Sequence, residues 1–349
     1  MKKTLVAVAA MAAVTGAMAD VTLSGNIDQA WLTTKLNSTS KTTDIQGSGY
    51  GNGGLGDTFL TMAGSEDLGG GMKASFKMEP RLDPNAAAHT MTNRESWVGI
   101  SGGFGAVQIG TTYSPMFNLV SAGTDVGGVS NMIGSNYVTG GTASIGQGNS
   151  SINYTLPSLA TGLTAQLGII KGGANSVSTT GAGAGDGQGF ALNYATGGLT
   201  IGYGSQSNKN TKLAVFSPTQ IAGGGATSTT LAAAAAGTSM KQTATGLTYD
   251  LGVAKLTYLS AKAALSGDSV KTDQYGISVP FGATTLAYMS GTQSANDSGT
   301  VSKQKSSQLQ AKYSLSKRTT AYFATGSLST STGTADKMTQ QAIGLAHSF

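Results

Sequence analysis

Apolar and polar residues alternate with a period of two along almost the whole chain. Because successive side chains of a β-strand point to opposite faces, this period predicts strands with one apolar and one polar face. After the first 19 residues there is no stretch approaching the ~20 apolar residues that a membrane-spanning helix requires. Examples of the apolar faces are Val21, Leu23, Ile27 and Trp31; Met72, Ala74, Phe76 and Met78; Leu163, Ala165, Leu167 and Ile169; and Leu309, Ala311, Tyr313 and Leu315.

The connections between these segments identify the kind of β-structure. Soluble sandwiches also alternate, so the period alone does not settle the environment. Here short turns alternate with long segments rich in Gly, Ser, Thr and Ala, which predicts sixteen strands in a closed, antiparallel transmembrane β-barrel of the all-β class. The short turns are expected at 66–71, 102–105, 157–162, 196–198, 249–252, 280–282 and 315–318, and the long loops at 37–57, 81–92, 113–148, 171–187, 208–240, 263–272, 292–303 and 329–337.

The amino terminus has the pattern of a secretory signal peptide. Lys2 and Lys3 precede a mostly apolar stretch over 4–16, and Ala17, Met18 and Ala19 form a small-x-small cleavage pattern. We therefore expect residues 1–19 to be removed and residues 20–349 to form a single barrel domain. The chain contains no cysteine, so the exported protein is expected to fold without disulfides.

The last strand ends on an aromatic residue. Ile343, Leu345, His347 and Phe349 lie on one face of the alternating segment 341–349. Chain termini are usually polar and frayed, whereas the last strand of a closed barrel must pair with the first, here 21–31. We therefore expect Phe349 to be important for assembly in the membrane.

The residue content argues against catalysis and against nucleic-acid binding. His89 and His347 are the only histidines and have no cysteine partner, so neither a zinc site nor a histidine-based triad is predicted. The glycine pattern at 49–54 matches a dinucleotide fingerprint formally but lacks its strand–helix context. No Lys/Arg run resembles a nucleic-acid patch. The predicted protein is not an enzyme and uses no cofactor or metal.

Three stretches resemble a known family. They are GSEDLGGGMKASFKME at 64–79, NRESWVGISGGFGAVQIG at 93–110, and YSLSKRTTAY at 313–322 with the strand that closes at Phe349. All three are similar to the trimeric general porins of β-proteobacteria. The resemblance implies a homotrimer embedded in the lipids of a Gram-negative outer membrane, passing ions and small hydrophilic solutes. It also implies that the third extracellular loop, 113–148, folds inward to narrow each pore.

The charged constriction that the resemblance implies is thinned in this chain. Family members carry acidic residues on the third loop facing arginines on the wall, but Asp125 is the only charged residue in 113–148. It is a candidate constriction carboxylate or a loop-capping residue. Arg94 matches a family arginine, although its alternation with Val98 and Ile100 leaves open which face it occupies. Other positions where relatives often have arginine are Phe59, Ala63, Thr111 and Gln147.

Two lysines are candidate pore-lining residues. Lys73 and Lys77 oppose the Met72/Phe76 face and are expected to point into the lumen, where cations attract anions. The alternative is that these lysines are solvated and balanced by Glu79 on the same face. Together with Arg94 and Asp125, they predict a general diffusion channel with a weak anion preference.

Two other functions remain open at this point. A substrate-specific channel of the same fold would need an aromatic slide or a dense basic pocket in the lumen. A surface adhesin barrel would use its long Ser/Thr-rich loops to bind a partner. Conductance in planar bilayers separates the adhesin from both channels, because a barrel plugged by its loops conducts little.

Overall fold

The computed structural model describes residues 20–37, 40–46, 54–82, 91–121, 147–171, 186–209, 212–215, 229–233, 239–297, 299–330 and 337–349. Apart from one short π-helix at Phe117–Ser121, the elements in these ranges are β-strands. The strands are β1 (Asp20–Leu36), β2 (Ser40–Gln46), β3 (Phe59–Gly69), β4 (Met72–Leu82), β5 (Met91–Gly102), β6 (Gly105–Tyr113), β7 (Gln147–Thr155), β8 (Leu163–Ile170), β9 (Gly187–Thr196), β10 (Leu199–Lys209), β11 (Lys212–Val215), β12 (Thr229–Ala233), β13 (Ser239–Asp250), β14 (Lys255–Leu265), β15 (Asp268–Phe281), β16 (Thr284–Asp297), β17 (Thr300–Ser314), β18 (Thr319–Thr330) and β19 (Lys337–Ser348).

Seventeen of these strands form one closed antiparallel sheet. The last strand, β19, pairs with β1 from Asn26↔Ser348 to Leu36↔Met338, which closes the wall. On its other side β1 pairs with β3 at its first half and with β2 at its second half, so β2 and β3 together occupy one position of the wall. The barrel therefore has sixteen wall positions, which confirms the predicted fold class. Strands β11 and β12 form a separate hairpin.

Two predicted long loops are wrong. Within 263–272, β14 runs to Leu265 and β15 starts at Asp268, so only Ser266 and Gly267 connect them. Both have positive φ values, 53° and 95°, as a tight hairpin turn requires. Within 292–303, β16 and β17 continue to Asp297 and from Thr300. The strands here extend beyond the apolar part of the wall, so these segments are rich in Ala, Ser and Thr. Their composition therefore resembles that of a loop.

The wall is apolar outside and polar inside. Exposed large apolar side chains lie on the outer face, while polar side chains such as Gln242, Gln308 and Gln340 are buried on the inner face. Exposed outer aromatics occur at two levels, Tyr194, Tyr249, Phe281, Tyr313 and Phe349 near the short-turn end and Trp31, Phe190, Tyr203, Tyr275, Tyr288 and Phe323 farther along the strands. This arrangement is typical of a lipid-facing belt bounded by two aromatic girdles. Within the described ranges, no helix is long and apolar enough to cross a membrane.

Aromatic rings pack over glycines where the barrel closes. Gly25 and Phe349 exchange two backbone hydrogen bonds of 3.1 Å, so the pairing of β1 with β19 extends to the last residue. A Cβ at Gly25 would lie 2.6 Å from Cζ of Phe349 and 2.7 Å from the Phe59 carbonyl oxygen. On the inner face, a Cβ at Gly344 would lie 2.1 Å from the Tyr322 ring.

The Tyr322 hydroxyl also ties the closing strands to the chain ahead of β3. It donates a 2.6 Å hydrogen bond to Oδ1 of the buried Asp28 carboxylate. The other oxygen of Asp28, Oδ2, accepts a 2.8 Å hydrogen bond from the backbone N–H of Gly56. The seam, by which we mean the junction of β1 with β19, is therefore held by backbone pairing, ring packing and one buried carboxylate.

A methyl group at the seam is expected to hinder barrel formation. Gly25→Ala should lower the yield of folded barrel, because the added Cβ meets both the Phe349 ring and a backbone oxygen that cannot move aside without shifting β3. The yield is measured as the fraction of heat-modifiable, folded protein after refolding into detergent micelles. Gly103→Ala is the matched control, since a Cβ at Gly103 has no atom within 4 Å. Equal yields for the two variants would contradict the packing role of Gly25.

Candidate functional site

Six charged residues meet on the inner side of β3, β4 and β5. Alternation along β4 places Lys77, Glu79 and Arg81 on one face, opposite the exposed Met72 and Met78. Strand β5 contributes Arg94 and Glu95, and Asp57 lies just ahead of β3. We call Asp57, Lys77, Glu79, Arg81, Arg94 and Glu95 the charge cluster.

Each cation of the charge cluster contacts at least one carboxylate. Nζ of Lys77 lies 2.9 Å from Oε2 of Glu79 and also binds Oε2 of Glu95. Nη1 of Arg94 lies 2.7 Å from Oε1 of Glu79, and Nε lies 3.4 Å from Oδ2 of Asp57. Nη2 of Arg81 lies 2.8 Å from the same Asp57 oxygen. Three cations and three carboxylates therefore neutralise one another.

Arg94 reaches the interior because of a β-bulge. Glu79 pairs with Glu95 and Pro80 pairs with Asn93, so Arg94 is an extra residue without a partner position on β4. Regular alternation resumes after Glu95: Trp97, two residues later, is half-buried, and Val98 is exposed on the outer face. A bulge re-aims a side chain that simple alternation would direct elsewhere. This settles the facing of Arg94, which the sequence left open.

The Arg94 guanidinium also lies among aromatic rings. Its Cζ is 4.8 Å from the centroid of Phe59 and 5.8 Å from that of Tyr113, distances at which a cation is attracted to the ring face. Tyr113 stacks on Phe117, with ring centroids 4.3 Å apart. Phe59 thus contributes to holding the Arg94 side chain in place.

The chain after β6 lies against the inner wall. Met116 and Val120 are buried among inward-facing residues of β9, β13 and β14, namely Ala191, Ala244, Leu259 and Ala261. Two side-chain amides hold this segment: Asn118 donates to Oε1 of Gln166 at 3.0 Å, and Asn193 donates to the Leu119 carbonyl oxygen at 2.8 Å.

Three inward-facing glycines make room for this segment. A Cβ at Gly168 would lie 2.7 Å from Pro115, one at Gly204 would lie 2.8 Å from Met116, and one at Gly202 would lie 2.7 Å from the Leu119 carbonyl oxygen. Only glycine allows so close an approach of backbone to its neighbours. Residues 114–121 therefore enter the barrel along a glycine-lined strip.

The structure brings together two of the four predicted pore-lining residues. Lys77 and Arg94 belong to the charge cluster, whereas Lys73 lies four residues closer to the tight turn at the start of β4 and is exposed outside it. Asp125 lies outside the described residues. Sequence reasoning missed Asp57 and Glu95, although the alternation of Lys77, Glu79 and Arg81 signalled a charged strand face. Among the described residues, no three His, Cys, Asp or Glu side chains are grouped so as to hold a metal ion.

Comparison with known proteins yields one family and several relatives. The family model described as "Gram-negative porin" matches residues 7–333. Outer membrane porin protein 32 of Delftia acidovorans is 39% identical over 123 residues, which are 33% of this chain and 33% of that protein. The chain thus matches about a third of the length of this curated relative.

Solved structures extend the similarity of the fold to nearly the whole chain. The anion-selective porin from Comamonas acidovorans matches with a TM-score of 0.74 and 22% identity, covering 95% of this chain and 100% of that one. The trimer form of in-vitro folded OmpT from Vibrio cholerae matches with a TM-score of 0.67 and 14% identity, covering 95% and 99%. At these identities the likeness establishes the barrel fold.

Removing one carboxylate from the charge cluster is expected to destabilise the barrel. In Glu79→Gln, Lys77 and Arg94 each lose a carboxylate partner in a site where the Glu79 side chain is only 5% exposed. The free energy of unfolding should fall by about 1–3 kcal/mol, less than for fully buried pairs because both cations are partly solvated. It is measured by denaturant titration of the folded barrel in micelles. The exposed Asp297→Asn is the control, and an equal effect there would contradict this role of Glu79.

Proposed function

The chain belongs to the Gram-negative porin family, and we propose that it forms a water-filled channel in the bacterial outer membrane. Ions and small hydrophilic solutes cross it by passive diffusion. The observation that carries this proposal is the polarity of the barrel wall, which is apolar on its outer face and charged on its inner face. The wall is closed by the pairing of β19 with β1. A channel of this kind acts through shape and charge, so it requires no catalytic group and no cofactor.

Two features of the mature protein belong to the same proposal. Residues 1–19 serve as a signal peptide that is removed on export, and residues 20–349 remain as the barrel. Three copies assemble into a homotrimer, each with its own pore. The trimer form among the similar solved structures supports this assembly.

The channel has a weak preference for anions. Within the charge cluster, cations and carboxylates compensate one another, so it contributes little net attraction for either sign of ion. Lys73 adds a positive charge on the same strand face and makes no ion pair among the described residues. The anion selectivity of the structurally similar Comamonas porin agrees with the direction of this preference.

The third loop, 113–148, folds inward and narrows the pore. Its first residues support this, because 114–121 are held against the glycine-lined strip of the inner wall. Asp125 follows only four residues later and is the loop's only charge. We place Asp125 at the constriction, where its carboxylate faces the lumen and moderates the anion preference.

Removing carboxylates from the charge cluster and removing arginines from it should shift ion selectivity in opposite directions. The double variant Asp57→Asn with Glu79→Gln should favour chloride, and Arg81→Gln with Arg94→Gln should favour potassium. A unit charge about 10 Å from a permeating ion in water changes its local concentration about twofold, so a shift of about that size is expected for each charge at low salt. Reversal potentials of single channels in a KCl gradient measure it.

Lys241→Gln, which removes a cation from the outer face of β13, is the control for this experiment and should leave the reversal potential unchanged. A shift of both double variants in the same direction would contradict the assignment of the charge cluster to the conducting path.

A cysteine at position 125 tests the inward fold of the loop. The chain has no native cysteine, so Asp125→Cys offers a single thiol. Reaction with a sulfonated methanethiosulfonate should lower single-channel conductance, because it adds bulk in the narrowest part of the pore. Asp297→Cys, at the tight turn between β16 and β17, should react without changing conductance. Equal conductance before and after complete modification at position 125 would exclude a constriction there.

A further inference from the structure

A band of lysines lies on the outer wall beyond its apolar belt, along the part of the barrel that runs from β10 to β19 and on to β1. These lysines are exposed and lie on the long-loop halves of their strands. They face outward because their strand neighbours face inward; Lys262, for example, stands between the buried Ala261 and Ala263. Members of the band are Lys35, Lys209, Lys241, Lys262, Lys271, Lys303, Lys305 and Lys337.

Strand register gathers four of these lysines into one patch. Lys262 on β14 lies directly opposite Lys271 on β15. Lys271 pairs with Ser294 on β16, and Ser294 pairs with Lys303 on β17, so only one strand separates the two lysines. At ~4.8 Å per strand, their backbones are about 10 Å apart. We call Lys262, Lys271, Lys303 and Lys305 the lysine patch.

The lysine patch carries a net positive charge. Asp273 is the acidic residue that alternation places on the outer face in the described parts of β14–β17, and its Oδ2 lies 3.0 Å from Nζ of Lys271. Asp268 and Asp297 stand at the turn ends of β15 and β16. Two like charges directly opposite each other on adjacent strands are destabilising. Asp273 offsets this repulsion for Lys271, but with four ammonium groups to one carboxylate the patch keeps a net positive charge that a bound anion would neutralise.

The height of the patch matches that of lipid headgroups. Lys262 and Lys271 each lie four residues beyond the last large apolar residue on the outer face of their strand, Tyr258 and Tyr275. Lys305 lies four residues beyond Leu309, and the exposed Val301 stands nearer the turn of β17. Four residues span about 13 Å along a strand, and a tilt of about 40° reduces this to about 10 Å along the membrane normal. The flexible lysine stems can shorten that height further by leaning toward the apolar belt.

We propose that the lysine patch binds phosphate-bearing headgroups of lipids in the membrane leaflet on the long-loop side of the barrel. An anionic lipid satisfies both parts of this surface at once, since its phosphate meets the ammonium groups and its acyl chains cover the apolar residues below. A second copy of this chain fits less well, because the patch would need an acidic surface to face. The proposal rests on the proposed membrane location but not on the ion selectivity of the pore.

The experiment measures lipid binding to the full-length folded protein in detergent. Native mass spectrometry gives the affinity for the first molecules of dioleoyl phosphatidylglycerol and, separately, of the zwitterionic dioleoyl phosphatidylcholine. In the triple variant Lys262→Gln, Lys303→Gln and Lys305→Gln, the ion pair of Lys271 with Asp273 is kept. Each lysine near an anionic headgroup contributes about a fivefold factor in association, so a loss of at least about fivefold for phosphatidylglycerol is expected.

Two further variants test whether a loss of lipid affinity depends on the charge and the position of the lysines or results from general damage to the protein. Replacing the same three lysines by arginine should keep the phosphatidylglycerol affinity within about twofold of the original. Replacing Lys255, Lys317 and Arg318 by glutamine removes equal charge at the short-turn end and should have a smaller effect than the patch variant. Single-channel conductance of the patch variant should be unchanged.

Several results would overturn the proposal. These are a phosphatidylglycerol affinity within about twofold of the original in the glutamine patch variant, an equal loss for phosphatidylcholine, or an equal loss in the short-turn variant. A change in oligomeric mass on removing the patch would instead assign it to contacts between copies. Intact selective lipid binding by a protein that conducts no ions would overturn the proposed channel and leave the lipid site standing.

Discussion

The pairing of β19 with β1 is the interaction on which the rest of the molecule depends. In lipid, no water is available for unpaired backbone groups, so a sheet that spans the membrane must have no edge. Backbone hydrogen bonds between Gly25 and Phe349 carry this pairing to the last residue of the chain. Closure in turn fixes which side of every strand is inside, and with it the faces on which charges and apolar residues can lie.

The interior has two specialised parts. On β3–β5 the charge cluster holds Lys77, Arg81 and Arg94 among carboxylates, which sets their positions and cancels most of their net charge. On β8, β9, β10, β13 and β14 the wall presents small residues, glycines and alanines, against which residues 114–121 pack. One part therefore supplies an electric field of mixed sign, and the other supplies the surface against which residues 114–121 are held.

The exterior also has two levels with different chemistry. An apolar belt between aromatic residues suits the hydrocarbon core, and the strands then continue well beyond it with polar outer faces. The same extension that made the sequence prediction wrong at 263–272 and 292–303 places Lys262, Lys271 and Lys305 beyond the apolar belt, at the level we propose for lipid headgroups. The length of the strands beyond the belt therefore shapes the surface that faces the membrane as well as the length of the loops.

Side-chain alternation is a local property of the backbone, so the amino-acid sequence was enough to predict the strand period, the apolar face of each strand, the sixteen wall positions and the pairing of the last strand with the first. It also indicated Lys77 and Arg94. The direction of Arg94 was not predictable in this way, since a bulge depends on the register of β5 against β4. The tertiary structure decided that direction and likewise brought Asp57 and Glu95 to the lysine and arginines and set Lys262 opposite Lys271, because these contacts join strands whose register no local pattern encodes.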